Sequence, residues 1–204
     1  PLEPGKVYTV RLQLDDVAVK VRKGQRLRIS ISTSYWPLIW PAPDAPTLNL
    51  HLGTSFVDLP VRKIRTSETA PPFAHAEAAP PVKLTEVRKA SNRRERTIDQ
   101  STGEQTLRIV DDFGASTITE HGLTYGAIGR ETYRIRPDDP LSARQECHWT
   151  EERSRGDWKV RTETYSAMTA GKTHWHVTGR LEAYEGDALV FSRDWDRKIK
   201  RKLV

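Results

Sequence analysis

The sequence predicts an all-β fold. Apolar and polar residues alternate through much of the chain, as in residues 7–14, where Tyr8, Val10 and Leu12 share one face of a strand. Short segments rich in Gly, Asp, Ser and Pro separate these runs, as turns separate strands. We find no convincing helix, and only the Gly/Ala stretch at 122–129 is ambiguous.

The composition fits sheets with one wet and one buried face. Hydrophobic residues are only 36% of the 204 residues, yet the chain contains six Trp, six Tyr and four Phe. The net charge is +6, but Lys and Arg alternate with Asp and Glu along the chain, whereas nucleic-acid binders concentrate basic residues. We therefore expect no nucleic-acid partner, and we interpret the basic run at 197–202 as a frayed or solvated terminus.

Cysteine content and hydropathy indicate the compartment. The single cysteine, Cys147, excludes an intrachain disulfide, and no apolar stretch approaches the roughly 20 residues of a membrane-spanning helix. No secretion signal is visible, so we expect a cytoplasmic protein without a membrane partner. The chain opens at Pro1 in a turn-like segment, and we expect further residues upstream.

The chain divides into three segments. Residues 1–66 carry alternating runs at 7–14, 17–21, 26–32 and 47–52. Residues 67–84 contain four prolines and many alanines and predict a surface connector, because proline lacks the donor that a central strand needs. Residues 85–204 predict an antiparallel meander, with strands at 94–100, 105–111, 131–136, 143–153, 158–168, 173–184 and 188–195.

One series of motifs resembles a known family. Gly24-Gln25-Arg26-Leu27-Arg28 leads into Tyr35-Trp36-Pro37 and Trp40-Pro41, with Pro4-Gly5 before and Leu59-Pro60-Val61-Arg62 after. This series resembles the C-terminal domain of X-Pro dipeptidyl-peptidases and CocE/NonD hydrolases, in which His is common at the position of Gln25. The segments at 155–158 and 181–186 are similar to an extra C-terminal sheet of some members.

The resemblance implies a fold and a role. The fold would be a jelly-roll β-sandwich, incomplete at its N-terminus, followed by the meander as an extended antiparallel sheet. The chain would be non-catalytic and would shape the active site of a preceding α/β-hydrolase domain, which cleaves ester, amide or X-Pro peptide bonds. The resemblance also implies a role in assembly, and we expect open sheet edges to favour a homo-oligomer.

No catalytic position of that family can be carried onto this chain. Its nucleophile lies on a Gly-x-Ser-x-Gly turn between a strand and a helix, and the nearest approach here, Gly53-Thr54-Ser55-Phe56-Val57, lacks the second glycine. We therefore expect no catalytic residue, no cofactor and no metal.

The candidate site residues are Tyr35, Trp36 and Trp40. Trp36 and Trp40 offer large apolar surfaces with one N–H each, which suits a substrate-facing or domain-facing wall. The alternative is structural, with the prolines stiffening a crossing loop and the indoles closing one end of the sandwich.

Other functions are open on the sequence. Trp149, Trp158, Trp175 and Trp195 recur on successive strands and could form the platform of a free-standing carbohydrate-binding jelly roll. A sheet enclosing a lipid-like ligand is disfavoured by charged faces such as Arg161 and Glu163.

Metal and thiol chemistry have weaker support. His174 and His176 with His148 could bind zinc, but no further ligand has diagnostic spacing, and calcium at the Asp pairs is a remote alternative. Cys147 and His148 point to opposite faces of a strand and cannot pair. We interpret Arg155-Gly156-Asp157 as a hairpin turn.

Overall fold

The computed structural model describes residues 2–63 and 72–202, and in these ranges the protein is all-β, as predicted. Its strands are β1 (Leu84–Arg88), β2 (Ser91–Ile98), β3 (Gln105–Ile118), β4 (Leu123–Arg136), β5 (Asp139–Arg155), β6 (Trp158–Ala170), β7 (His174–Glu185) and β8 (Ala188–Lys200). They form one antiparallel sheet in the order β1-β3-β4-β5-β6-β7-β8, with β2 also paired to β3. Residues 72–83 of the predicted connector contain no strand, and residues 67–71 lie outside the described ranges.

Tight turns build the sheet from consecutive strands. Gly156-Asp157 joins β5 to β6, and Gly186-Asp187 joins β7 to β8. Gly156 and Gly186 have φ values of 59° and 57°, which glycine adopts without the steric cost that a Cβ adds. The predicted hairpin turn at Arg155-Gly156-Asp157 is therefore present, and from β2 to β8 each strand pairs with the next one along the chain.

Several strands are longer than predicted, and β4 and β8 are two of them. β4 begins at Leu123, so the ambiguous Gly/Ala stretch is strand. β8 continues to Lys200, and Arg201 beyond it is only 7% exposed. The prediction of a solvated terminus is wrong for Arg201, because this side chain packs on an indole of the neighbouring strand.

The sheet has two chemically different faces. Directly opposed residues of antiparallel neighbours lie on the same side, which places Trp149, Trp175 and Trp195 on one side, here called the tryptophan face. His148 and Arg180 lie on the other side, here called the charged face. The buried alanines Ala143 and Ala170 lie in the row of Trp175 on the tryptophan face, and this row marks the core.

The first region, residues 2–63, forms turns but no strands. Its one isolated bridge joins Tyr35 to Ile39, and the runs predicted as strands at 7–14, 17–21, 26–32 and 47–52 have no paired neighbour in the described residues. Their apolar side chains face solvent, with Leu12 77% and Val17 81% exposed. The all-β class is confirmed, whereas the jelly roll stays a prediction. Alternation in the sequence predicts which side of a strand is apolar, but a strand also needs a neighbour that pairs with its backbone N–H and C=O groups.

A β-bulge divides one edge of the sheet. The register of β3 shifts between Asp112 and Ala115, and Gly114 between them has a φ of 76°. β1 and β2 pair with β3 on either side of this bulge. Arg88 at the end of β1 fixes the break, since its Nε lies 3.1 Å from Asp112 and its Nη1 lies 3.3 Å from Glu152.

Candidate functional site

The segment from Tyr35 to Pro41, here called the tryptophan loop, reverses the chain within a few residues. The N–H of Ile39 donates to the carbonyl oxygen of Tyr35 at 2.9 Å, and the Trp36–Pro37 peptide bond is cis. The reversal brings the rings of Trp36 and Trp40 to a centroid distance of 4.8 Å at 88°. The loop therefore presents two indoles as one edge-to-face pair.

This indole pair packs on the tryptophan face of the sheet. Trp36 meets Tyr133 of β4 at 6.0 Å, and Trp40 meets Trp175 of β7 at 5.5 Å, both edge to face. Each such aromatic pair stabilises by about 0.5–1.5 kcal/mol beyond the area that it buries. The loop thus joins the first region to the sheet through a chain of aromatic contacts.

Arg201 closes this contact from the end of β8. Its guanidinium lies over the ring of Trp175 at 4.1 Å, and Nη2 donates to the carbonyl oxygen of Pro41 at 2.9 Å. Its Nη1 donates to the carbonyl oxygen of Gly171 at 3.1 Å. Burial lowers the pKa of Arg201, since desolvation disfavours the charged form.

Tyr133 is held protonated beside the loop. Burial, together with a 2.7 Å hydrogen bond from its hydroxyl to Glu131, raises the pKa of Tyr133 far above its ordinary value of 10.0. A phenol in this state supplies a ring surface and a fixed hydrogen-bond donor, and it cannot act as a base at neutral pH. Tyr133 therefore contributes a packing surface to the loop.

The structure brings two of the three predicted site residues together. Trp36 and Trp40 are half-buried against the sheet of their own chain, whereas Tyr35 is 63% exposed. Nε1 of Trp40 is buried without a hydrogen-bond partner among the described residues. That the three residues face a substrate or another domain stays a prediction.

Sequence reasoning missed three residues of this site, Tyr133, Trp175 and Arg201. The sequence makes Trp175 a candidate for a sugar platform, predicts a solvated tail at Arg201 and does not single out Tyr133. For Arg201, a signal exists in the alternation of side chains along β8. If this alternation is continued past the end of the strand, Arg201 lies on the same side as Ile199, which is opposed to Trp175. Nothing local in the sequence indicates that the tryptophan loop reaches this side.

Three of the four tryptophans considered for a sugar platform have separate side-chain contacts, and the fourth is exposed. Trp149 stacks on Phe113 at 5.7 Å, Trp175 contacts Trp40, and the guanidinium of Arg193 lies 5.1 Å from the ring of Trp195. Trp158 is 47% exposed at the start of β6. No ring contact joins any two of the four within residues 2–63 and 72–202, so they form no continuous platform there.

The three histidines considered for zinc have separate partners. Nε2 of His148 lies 2.6 Å from Glu163, and Nε2 of His176 lies 2.8 Å from Asp196. Nδ1 of His174 lies 2.9 Å from the hydroxyl of Thr173. Across the described ranges, no group of three or more His, Cys, Asp or Glu side chains is arranged to hold a metal ion.

The charged face carries an open groove of about 690 Å³. His148 and Tyr165, stacked at 4.2 Å, lie beside Arg180 in its lining. Arg180 binds Asp194 through Nε at 2.7 Å, which lowers the pKa of this carboxyl. Charges paired in this way are typical of a solvated sheet face.

Part of the chain matches a known family. The family model described as the X-Pro dipeptidyl-peptidase C-terminal non-catalytic domain matches residues 1–85. Over residues 1–85 the chain is therefore similar to this domain family. The resemblance predicted from the motifs between Pro4 and Arg62 is confirmed, and the tryptophan loop lies within the matched range.

The sheet lies almost wholly beyond that range, because the match ends within β1. Comparison with curated proteins and with solved structures found no match to this chain. No helix long and apolar enough to cross a membrane occurs in residues 2–63 or 72–202.

Proposed function

We propose that this chain is the C-terminal β part of a larger serine hydrolase of the CocE/NonD type. A preceding α/β-hydrolase domain would cleave ester, amide or X-Pro peptide bonds with a Ser-His-Asp triad. The family match over residues 1–85 carries this proposal, since that domain is non-catalytic by description and accompanies a peptidase.

The candidate nucleophile of this chain supports a non-catalytic role. Ser55 follows a turn, and its hydroxyl donates to the carbonyl oxygen of His51 at 2.9 Å. No imidazole is described within hydrogen-bonding distance of this hydroxyl. A serine nucleophile needs a base that takes its proton, so Ser55 is not equipped for acyl transfer.

The exposed apolar rows of the first region support an attached domain. Val10, Leu12 and Leu14 in one run, and Leu27, Ile29 and Ile31 in another, are all more than half exposed. Large apolar surfaces of this kind mark an interaction site in a folded protein. We assign these rows to contacts with the hydrolase part and with a second subunit.

The tryptophan loop would then contribute to the substrate pocket. Tyr35 is exposed at its tip, while Trp36 and Trp40 hold the loop on the sheet. In this proposal Tyr35 contacts the substrate, the loop shapes the active site, and the chain assembles into a homo-oligomer. A cytoplasmic location is a further part, based on the single cysteine.

Hydrolysis of a chromogenic ester tests the proposal directly. The 204-residue chain alone should show no turnover above the uncatalysed rate, and the longer native polypeptide should hydrolyse the ester and lose activity when its nucleophilic serine is replaced. Turnover by the 204-residue chain that persists through purification would overturn the proposal, as would a native protein that begins at Pro1.

A further inference from the structure

We infer that Arg201 is a positioning residue, which fixes the tryptophan loop on the sheet by bridging two backbone carbonyls and covering Trp175. The inference concerns how the family-matched region and the sheet are coupled in this chain. It goes beyond the proposed function and holds whether or not a hydrolase domain precedes the chain.

The backbone at the end of β8 aims Arg201 at the loop. The N–H of Arg201 donates to the carbonyl oxygen of Thr173 at 2.9 Å, which extends the pairing of β7 and β8 by one residue. Side chains alternate along a strand, so Arg201 lies on the same side as Ile199, the tryptophan face. The orientation of the guanidinium therefore follows from the sheet.

The guanidinium then joins parts of the chain that are far apart in sequence. Nη2 binds the carbonyl of Pro41 in the loop, 160 residues away, and Nη1 binds the carbonyl of Gly171 after β6. Because both donors lie in the plane of one guanidinium, they fix the distance and the orientation of the loop backbone relative to the end of β6. A single apolar contact would let the loop slide over the sheet.

Arg201 also contacts the indole rings that hold the loop on the sheet. The charge of Arg201 lies over Trp175, and Trp175 meets Trp40 edge to face at 5.5 Å. A cation stabilises an indole contact more strongly when it is desolvated, and Arg201 is only 7% exposed. One side chain thus contacts both the backbone of the loop and the ring on which Trp40 packs.

Hydrogen–deuterium exchange of the full 204-residue chain tests this inference. The amide of Ile39 reports the loop, because its bond to the carbonyl of Tyr35 persists only while the loop keeps its shape. In Arg201→Ala, Ile39 should exchange about tenfold faster, as expected from the loss of the charged-donor hydrogen bond that reaches the loop, at Pro41. The amides of β4 to β6 should keep their protection, which separates loop release from unfolding of the sheet.

Two further variants decide whether the geometry or the charge matters. Arg193→Ala is the matched control, because it removes another arginine stacked on an indole of the same face, and it should leave Ile39 unchanged. Arg201→Lys keeps a cation near Trp175 but cannot reach both carbonyls in one plane, and it should restore less than half of the lost protection.

Three results would overturn the inference: unchanged exchange at Ile39 in Arg201→Ala with an intact sheet, an equal effect of Arg193→Ala, or full restoration by Arg201→Lys. Should Arg201→Ala not fold, Arg201→Gln removes the charge and one of the two donor groups with a smaller change in volume. It should accelerate exchange at Ile39 in the same direction, and unchanged exchange there would likewise overturn the inference.

Discussion

The first region and the sheet have the same alternating sequence pattern but different structures. Residues 7–14 and residues 174–183 both alternate apolar and polar side chains, yet only the second run forms a paired strand. The runs of the sheet are joined by tight turns, as at Gly186-Asp187, which deliver an antiparallel neighbour at once. Alternation therefore predicts which side of a strand is apolar, and the connection decides whether the strand has a partner within the chain.

Amide exchange should show the largest difference between the two regions. Amides in the central strands β4 to β7 should exchange about 10³-fold or more slowly than those at 7–14 and 26–32, because only the former are in hydrogen-bonded ladders. Exchange measured by mass spectrometry or NMR checks this. Equal protection of the amides in both regions would contradict this, because it would mean that residues 7–14 and 26–32 are paired in strands.

A matched pair of glycine substitutions sharpens the comparison. An alanine Cβ at Gly114 would lie 2.6 Å from the carbonyl oxygen of Arg88, at a φ of +76°. We expect Gly114→Ala to lower the free energy of unfolding by about 3 kcal/mol. Gly24 has a similar φ of +90° but nothing within 4 Å of a Cβ, so Gly24→Ala should change sheet stability by less than about 0.5 kcal/mol.

Urea titration of both variants, followed by far-ultraviolet circular dichroism, provides the measurement. Equal losses would contradict the view that the first region contacts the sheet mainly through the tryptophan loop.

Substitutions at Trp40 test a contact through which the sheet stabilises the tryptophan loop. Trp40→Ala should destabilise the docked loop by about 2 kcal/mol, because ring contacts with Trp36 and Trp175 are lost. Trp40→Phe should cost about 1 kcal/mol or less, since it also removes a buried N–H without a partner. The change in the exchange rate of the Ile39 amide measures the cost of each substitution. If Trp40→Phe cost as much as Trp40→Ala, the indole N–H of Trp40 would have a hydrogen-bond partner.

The smallest effect is expected from a charge pair of the sheet. The hydrogen bond from Arg180 to Asp194, with the charge of Arg180, lowers the pKa of Asp194 below its ordinary 3.8. A carboxyl whose pKa is lower in the folded state stabilises above its unfolded pKa, and this stabilisation is lost as pH falls through the folded pKa. Asp194→Asn should therefore flatten stability against pH in the acid range below about pH 5.

NMR titration of the Asp194 carboxyl checks the direction of this shift. Arg180→Gln should return its midpoint toward 3.8, and a midpoint that stays low without Arg180 would contradict the assigned cause.

The sequence predicts the meander well and the glycine-rich part of β4 poorly. Glycine lowers strand propensity, so residues 122–129 look ambiguous, yet a Cβ at Gly129 would lie 2.8 Å from the ring of Trp149. Gly129 is needed because the ring of the opposed residue, Trp149, occupies the space that a Cβ would take. That requirement depends on the register between β4 and β5, which no local pattern contains.

In the candidate site, too, some residues can be predicted from the sequence and others cannot. Trp36 and Trp40 are predictable, because two Trp-Pro pairs four residues apart identify the loop and its apolar surface. Arg201 is not predictable, since a basic run at a chain end is typical of a solvated tail. Its burial depends on contact between residues 160 positions apart.

The divided edge at β1 and β2 limits how this sheet can polymerise. A long, flat edge strand offers a template for further chains, and a bulge or charged side chains remove that template. The Gly114 bulge leaves two short ladders there, and the opposite edge, β8, carries Arg193, Asp194 and Asp196 in one short stretch. Fibril growth by strand addition at either end of the sheet is thus disfavoured, even though the chain exposes many apolar side chains elsewhere.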